Sequence, residues 1–122
     1  MQEEQKVEKE SQFNYIKNRK QYLKFYRDQK KVHSTNFLVL CRKDTESSLL
    51  SIGITVTKKI GNAVTRNKIK RRLKAYMRQE LTTNISGLMI NIISTKDTSK
   101  IPWKEFVSEL DYLFKKIEAT CN

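Results

Sequence analysis

Apolar and polar positions change period several times along the chain, and each change predicts an element. From Asn18 onward Tyr22, Phe25 and Tyr26 fall three and four apart, the spacing of one face of a short helix, with Asn18 placed to cap it. "VHSTNFLVLCRK" and "SLLSIGITVT" are dense in β-branched and aromatic residues and read as strands joined by the polar, hairpin-like "KDTESS". In the second, Ile52, Ile54 and Val56 alternate with Ser51, Gly53 and Thr55, as a half-buried strand requires. Phe25 and Phe37, set among apolar neighbours, are expected in the core.

"KKIGNA" predicts a turn, with Gly61 able to take a positive φ and Asn62 able to cap the helix that follows. That helix should run from about Ala63 to Leu81. At about 100° per residue, Ile69, Leu73, Tyr76 and Met77 share one sector, which must face the sheet. Asn67, Lys70, Arg71, Lys74 and Arg78 occupy the adjoining sector, and Lys68 and Arg72 flank the apolar stripe on its other side. "GLMINIIST" is apolar enough for a central strand. A last helix begins near Pro102 and places Trp103, Phe106, Leu110, Leu113, Phe114 and Ile117 on one face. The order helix, strand, strand, helix, strand, helix predicts an α+β domain with helices packed on one small sheet.

Residues 1–12 carry a net charge of −2 and almost no apolar side chain, so they read as a mobile acidic leader ahead of a single domain spanning 13–122. Length supports one core and no more. No apolar run is long enough to cross a bilayer, and the start lacks a signal peptide's pattern, so a cytoplasmic protein without a membrane partner is expected. Cys41 and Cys121 have no neighbour at the spacing of a metal knuckle or redox pair, and both are expected as reduced thiols. With His33 the sole histidine, and no paired carboxylates or activated nucleophile, neither a metal site nor a catalytic residue can be assigned.

Charge changes the picture most. The chain carries 25 Lys and Arg against 13 Asp and Glu, a net +12, which points to a polyanion. Between Lys58 and Arg78 there are nine basic residues and no acidic one. Arg66 with Lys70, Lys70 with Lys74, and Lys74 with Arg78 are like-charge i,i+4 pairs, each unfavourable by some tenths of a kcal/mol. An external anion would relieve that repulsion, and the turn before the helix adds backbone N–H donors at a helix N-terminus. Asn67, which offers both a donor and an acceptor on the cationic face, suits a base edge or a 2′-hydroxyl.

"IGNAVTRNKIKRRLK" resembles the signature of the protein subunit of bacterial ribonuclease P: Ala63, then Arg66, Asn67, Lys68, Ile69, Lys70 and Arg71, followed by Leu73 and Lys74. The preceding "GITVTKK" is similar to the strand and Lys-Lys turn that lead into it, and the order of elements matches over about residues 15 to 118. The resemblance implies a two-layer α/β sandwich, αβββαβα, with a left-handed β-α-β crossover, a topology also found in a ribosomal-protein domain. It therefore implies a third short strand near Val32 and His33.

It further implies a division of labour. The family's RNA subunit, with Mg²⁺, removes the 5′ leader of precursor tRNA, and the protein binds that RNA and the leader while holding no cofactor itself. On this resemblance Lys58, Lys59, Asn62, Arg66, Asn67, Lys68, Lys70, Arg71 and Lys74 would contact the catalytic RNA. Tyr22, Tyr26, His33 and Leu40 would line the leader cleft between the first helix and the sheet, where exposed rings can stack on bases. The chain departs from the family at Gln29, often Gly, at Thr35, often Arg, and at Leu40, often aromatic. Lys68 replaces a common Arg and so loses its bidentate phosphate geometry. Charge and fold alone would equally suit a non-catalytic ribosomal or other structured-RNA binder. A helix-turn-helix DNA binder needs a helix immediately before the basic one, where the strand pattern of Ile52 to Thr57 stands instead.

Overall fold

The computed structural model describes residues 13–26, 29–44, 48–81 and 85–121, without the side chain of Tyr26; the acidic leader, 1–12, lies outside the described residues. The elements are β1 (Phe13–Tyr15), α1 (Arg19–Leu23, continued by a 3₁₀ turn at Lys24–Tyr26), β2 (Lys30–His33), β3 (Phe37–Lys43) and β4 (Leu50–Val56). A 3₁₀ turn at Lys58–Ile60 then leads into α2 (Ala63–Gln79), β5 (Leu88–Ser94) and α3 (Trp103–Cys121). The third strand implied near Val32 is β2, separated from β3 by a tight turn in which the Ser34 N–H donates to the Phe37 carbonyl at 2.9 Å.

The sheet has the order β1-β4-β5-β3-β2. β5 is central as its composition predicts, parallel to β4 and antiparallel to β3. Because β4 and β5 are parallel neighbours, the chain must cross from one end of the sheet to the other between them, and α2 makes that crossover. β1 is an addition to the αβββαβα order: three residues parallel to β4, extended by the Ile16 N–H donating to the Ile52 carbonyl at 2.8 Å. Three residues are too few to carry a readable period, so the alternation along the chain does not betray this strand.

Both long helices pack on one face of the sheet. Ile69, Leu73, Tyr76 and Met77 of α2 and Phe106, Leu110, Leu113, Phe114 and Ile117 of α3 are buried there against Val39, Cys41, Ile52, Ile90 and Ile92. Tyr76 stacks on Phe114 with ring centroids 5.9 Å apart, and its hydroxyl donates to Asp111 at 2.7 Å. Glu109 of α3 accepts from the Ser34 hydroxyl and, at 2.7 Å each, from the backbone and side-chain N–H of Asn36, tying the β2–β3 turn to the helix. Trp103, expected on the buried face, is only partly covered and stacks on Phe106.

Among the described residues, the opposite face is covered by α1 and the segment that leads into it. Phe25 is buried there with Ile16 and Met89, and Tyr22 and Leu40 pack around them. Asn18 caps α1 as expected, accepting from the Gln21 N–H at 3.0 Å. The Tyr22 ring lies on Gly53, and its hydroxyl accepts from the Ile54 N–H at 3.2 Å, a β4 edge group beyond the reach of β1. β4 is therefore not half-buried: Ser51 and Gly53 are covered as well as Ile52.

Two local expectations need correction. Gly61 is extended (φ 161°, ψ −168°), a conformation open to any residue, and the left-handed glycine is Gly87 at φ 66°, just before β5. Cys41 and Cys121 are not separate thiols: they are joined as a disulfide between β3 and the end of α3, with Cα atoms 6.8 Å apart. They are 80 residues apart in the chain, and only the packing of α3 on the sheet brings them together.

Gly53→Ala would place a methyl group 2.6 Å from Tyr22 Cε1. Overpacking of this kind costs about 1–3 kcal/mol, so urea unfolding should show a loss in that range that shrinks sharply in a Tyr22→Ala background. Burial, and then the bond to Asp111, pushes the Tyr76 hydroxyl pKa far above its ordinary value of 10.0. Below that ordinary value the phenol is protonated in both the folded and unfolded chains. Above it the unfolded chain releases a proton that the folded one keeps, so stability should fall as pH rises past 10, less steeply in Tyr76→Phe.

Candidate nucleic-acid interface

The basic helix begins at a cap. Asn62 is extended, and its side-chain oxygen accepts from the Thr65 N–H at 2.9 Å, while the Arg66 Nε–H donates to the Gly61 carbonyl at 3.2 Å. Lys58 and Lys59, in the turn just before, are exposed. The side-chain oxygen of Asn62 is thus committed to the helix. Asn67 is exposed, and its side chain has no partner among the described residues. The first turn is held by Asn62, which leaves both hydrogen-bonding ends of Asn67 to solvent or a ligand.

The remaining cations divide by face, because the buried stripe fixes the helix's rotation. Arg66 and Lys70 are half-buried, and Asn67, Arg71, Lys74 and Arg78 are exposed. The stripe of Lys70, Lys74 and Arg78 runs toward β1: Lys74 Nζ lies 5.5 Å from the Tyr15 ring centroid, and the charge of Arg78 reaches the Tyr15 hydroxyl. Burial, the larger influence, raises that hydroxyl's pKa. Tyr22 lies on β4, the strand beside β1, on the opposite face of the sheet. The cationic stripe and the α1 cleft therefore meet around one edge of the sheet.

Lys68 and Arg72 lie on the other side of α2. Arg72 donates to the carbonyls of Thr98 and Ile101 and stands over the rings of Phe106, at 4.5 Å, and Trp103, at 5.8 Å. It clamps the loop between β5 and α3 onto α2, and its pKa is lowered by burial. Lys68 is exposed near Asp97, whose carboxyl is held below its usual range first by hydrogen bonds from Ser99 and then by the charges of Lys100 and Lys68. Nothing in the run "KIKRRLK" distinguishes the clamping Arg72 from the exposed Arg71; the only cue is the 100° offset that puts Arg72 beside the apolar stripe.

Of the residues assigned to the cleft, Tyr22 is half-buried and doubly engaged, its hydroxyl also donating to the Ile16 carbonyl at 3.5 Å. His33 is exposed on β2, opposite Leu38, and Leu40 is half-buried at the rim of the α1 cluster. The side chain of Tyr26 lies outside the described residues. Gln29 is half-buried, with its side-chain oxygen sealed and without a partner among the described residues, and Thr35 is exposed in the β2–β3 turn. No group of three metal-binding side chains occurs among the described residues, and no helix there is long and apolar enough to cross a membrane.

Comparison with known proteins assigns the arrangement. The family model described as Ribonuclease P matches residues 10–118. The chain belongs to the ribonuclease P protein family. The ribonuclease P protein component of Citrifermentans bemidjiense is 38% identical over 99 residues, covering 81% of this chain and 84% of that one. That of Desulforapulum autotrophicum is 39% identical over 83 residues, covering 68% and 71%. Among solved structures, the ribonuclease P protein of Thermotoga maritima superposes with a TM-score of 0.75 at 27% identity, covering 85% of this chain and 97% of that one. The Staphylococcus aureus protein gives 0.75 at 26%, covering 85% and 94%. As a ribonuclease P protein component, the chain is an RNA-binding subunit of a tRNA-processing nuclease.

Arg72 and Arg71 should separate in a stability measurement. Arg72→Ala removes two bonds from a charged donor to backbone carbonyls together with two ring contacts, and should cost about 2–4 kcal/mol. Arg71→Ala, at an exposed position, should stay within about 0.5 kcal/mol of the parent in the same denaturation experiment.

Proposed function

We propose that the chain docks on the ribonuclease P catalytic RNA through Lys58, Lys59, Asn62, Arg66, Asn67, Lys68, Lys70, Arg71 and Lys74, and holds the 5′ leader of precursor tRNA in the cleft between α1 and the sheet. We assign Tyr22, His33 and Leu40 to its lining, and Tyr26 with them on the family resemblance alone. The observation that carries the reading is the helix itself: nine cations without an acid between Lys58 and Arg78, on an element whose apolar stripe is buried and whose Asn67 is left open. The protein contributes electrostatics and positioning. Leader hydrolysis belongs to the RNA and its Mg²⁺, with no protein side chain as catalyst and no cofactor held by the protein alone. We place this work in the cytoplasm, at neither a membrane nor DNA.

The cleft is less open than a simple stacking platform. Tyr22 is anchored at its hydroxyl, so a leader base would meet the free side of a fixed ring and lose little side-chain entropy on binding. Asn62 acts on RNA chiefly by presenting the helix N-terminus, since its side-chain oxygen caps Thr65.

Purified chain added to a bacterial ribonuclease P RNA should stimulate precursor-tRNA cleavage at low Mg²⁺; a folded protein that gives no stimulation would overturn the proposal. Arg71→Ala should weaken RNA binding and reduce the slope of log K against log salt by about one unit, the signature of one lost phosphate contact. An unchanged slope would assign Arg71 to solvent.

A further inference from the structure

The floor of the α1 cleft mixes apolar and polar positions: Arg42, Ser51, Thr55 and His33 share this face, and Arg42 is engaged with the Lys24 carbonyl. On the face opposite α2 and α3, the strands contribute Leu38 and Leu40 from β3, Met89 and Ile93 from β5, and Gly53 beneath Tyr22 from β4. Among them stands Asn91, in the middle of the central strand and level with Leu40 on one side and Gly53 on the other. It is 7% exposed.

A carboxamide in this position is costly unless it is satisfied, because polar groups removed from water need partners. Asn91 is satisfied at one end only. Its oxygen accepts from the Thr55 hydroxyl at 3.0 Å, and its amide nitrogen has no partner among the described residues. With its oxygen turned to Thr55 on β4, the amide has its NH₂ as the open end. An apolar side chain at the same point would pack against Leu40 and Met89 without that cost. The arrangement leaves one hydrogen-bond donor of the cleft floor without a partner among the described residues, beside a tyrosine whose ring edge and hydroxyl lie against Gly53.

We infer that Asn91 is a specificity-determining residue, its amide N–H donating to an acceptor atom on a nucleobase of the single-stranded RNA that enters the cleft. This rests on the proposed binding of the leader there. Stacking on Tyr22 accepts any base, since every base has a π face, whereas a donor at one fixed point favours bases that place a ring nitrogen or carbonyl opposite it. Thr55 is the positioning residue, acting through Asn91. The chemistry requires a base splayed from its neighbours, so an unpaired strand fits and a duplex does not.

The test uses holoenzyme reconstituted with a bacterial ribonuclease P RNA and precursor tRNAs whose leaders carry each of the four nucleotides in turn at successive positions before the cleavage site. At one position the parent protein should separate the nucleotides by about threefold to tenfold in kcat/KM, the scale of one added hydrogen bond. Asn91→Leu should flatten that profile, and Thr55→Val, which frees the amide to turn, should blunt it. A purely structural role for Asn91 would lower stability or overall rate without changing the ranking of nucleotides. If Asn91→Leu fails to fold, the Thr55→Val profile decides. Cleavage that depends on the leader but shows the same profile in parent and variants, or no nucleotide preference in the parent, overturns this inference and leaves leader binding standing. Stimulation by the protein that is unchanged when the leader is shortened to a single nucleotide overturns both.

Discussion

The burial of Ile69, Leu73, Tyr76 and Met77 against the sheet is the constraint from which the other features of α2 follow. Each such side chain is worth about 1.5–3 kcal/mol when removed from water, whereas each like-charge i,i+4 pair on the same helix costs only some tenths. Packing therefore decides the helix's rotation and charge must accept it. Once that stripe is down, Arg71, Lys74 and Arg78 can only face outward, and Arg72 can only reach the loop before α3.

The sheet is unequal by design of its connections. The crossover between the parallel strands β4 and β5 and the C-terminal helix both fall on one face, which becomes the core. Among the described residues the other face receives the short α1, whose Phe25 is buried with Ile16 and Met89. What is left is a groove with Tyr22 anchored at one wall and a floor in which Asn91 pairs with Thr55 among apolar and polar neighbours. β1 and β4 bring this groove and the cationic stripe of α2 around the same edge of the sheet.

Much of this was legible in the residues. Asn18 and Asn62 are caps because their side chains can replace missing helical partners, a local property, and both cap as expected. The stripe of α2, the buried face of α3 from Phe106 onward and the central place of β5 follow from periodicity and composition. β1 was not legible, for Phe13–Tyr15 is a strand only because the β4 edge accepts it. The disulfide of Cys41 with Cys121, the sealing of Tyr22 onto Gly53 and the clamp by Arg72 were equally hidden, since each joins residues far apart in the chain.

The amino-acid order by itself determined the helices, the long strands and the basic signature that marks the family, because caps, periods and charge runs act over a few residues. The helical period put Arg71 and Arg72 on different sides of the apolar stripe, but tertiary structure alone decided that Arg72 is engaged, by the carbonyls of Thr98 and Ile101. It also decided that Asn67 is open where Asn62 is committed, and that Asn91, an unremarkable residue in an apolar strand, lies with one unpaired donor at the floor of the cleft. The physical reason is common to all three. A side chain's availability depends on which groups folding brings within hydrogen-bond reach, and those groups come from distant parts of the chain.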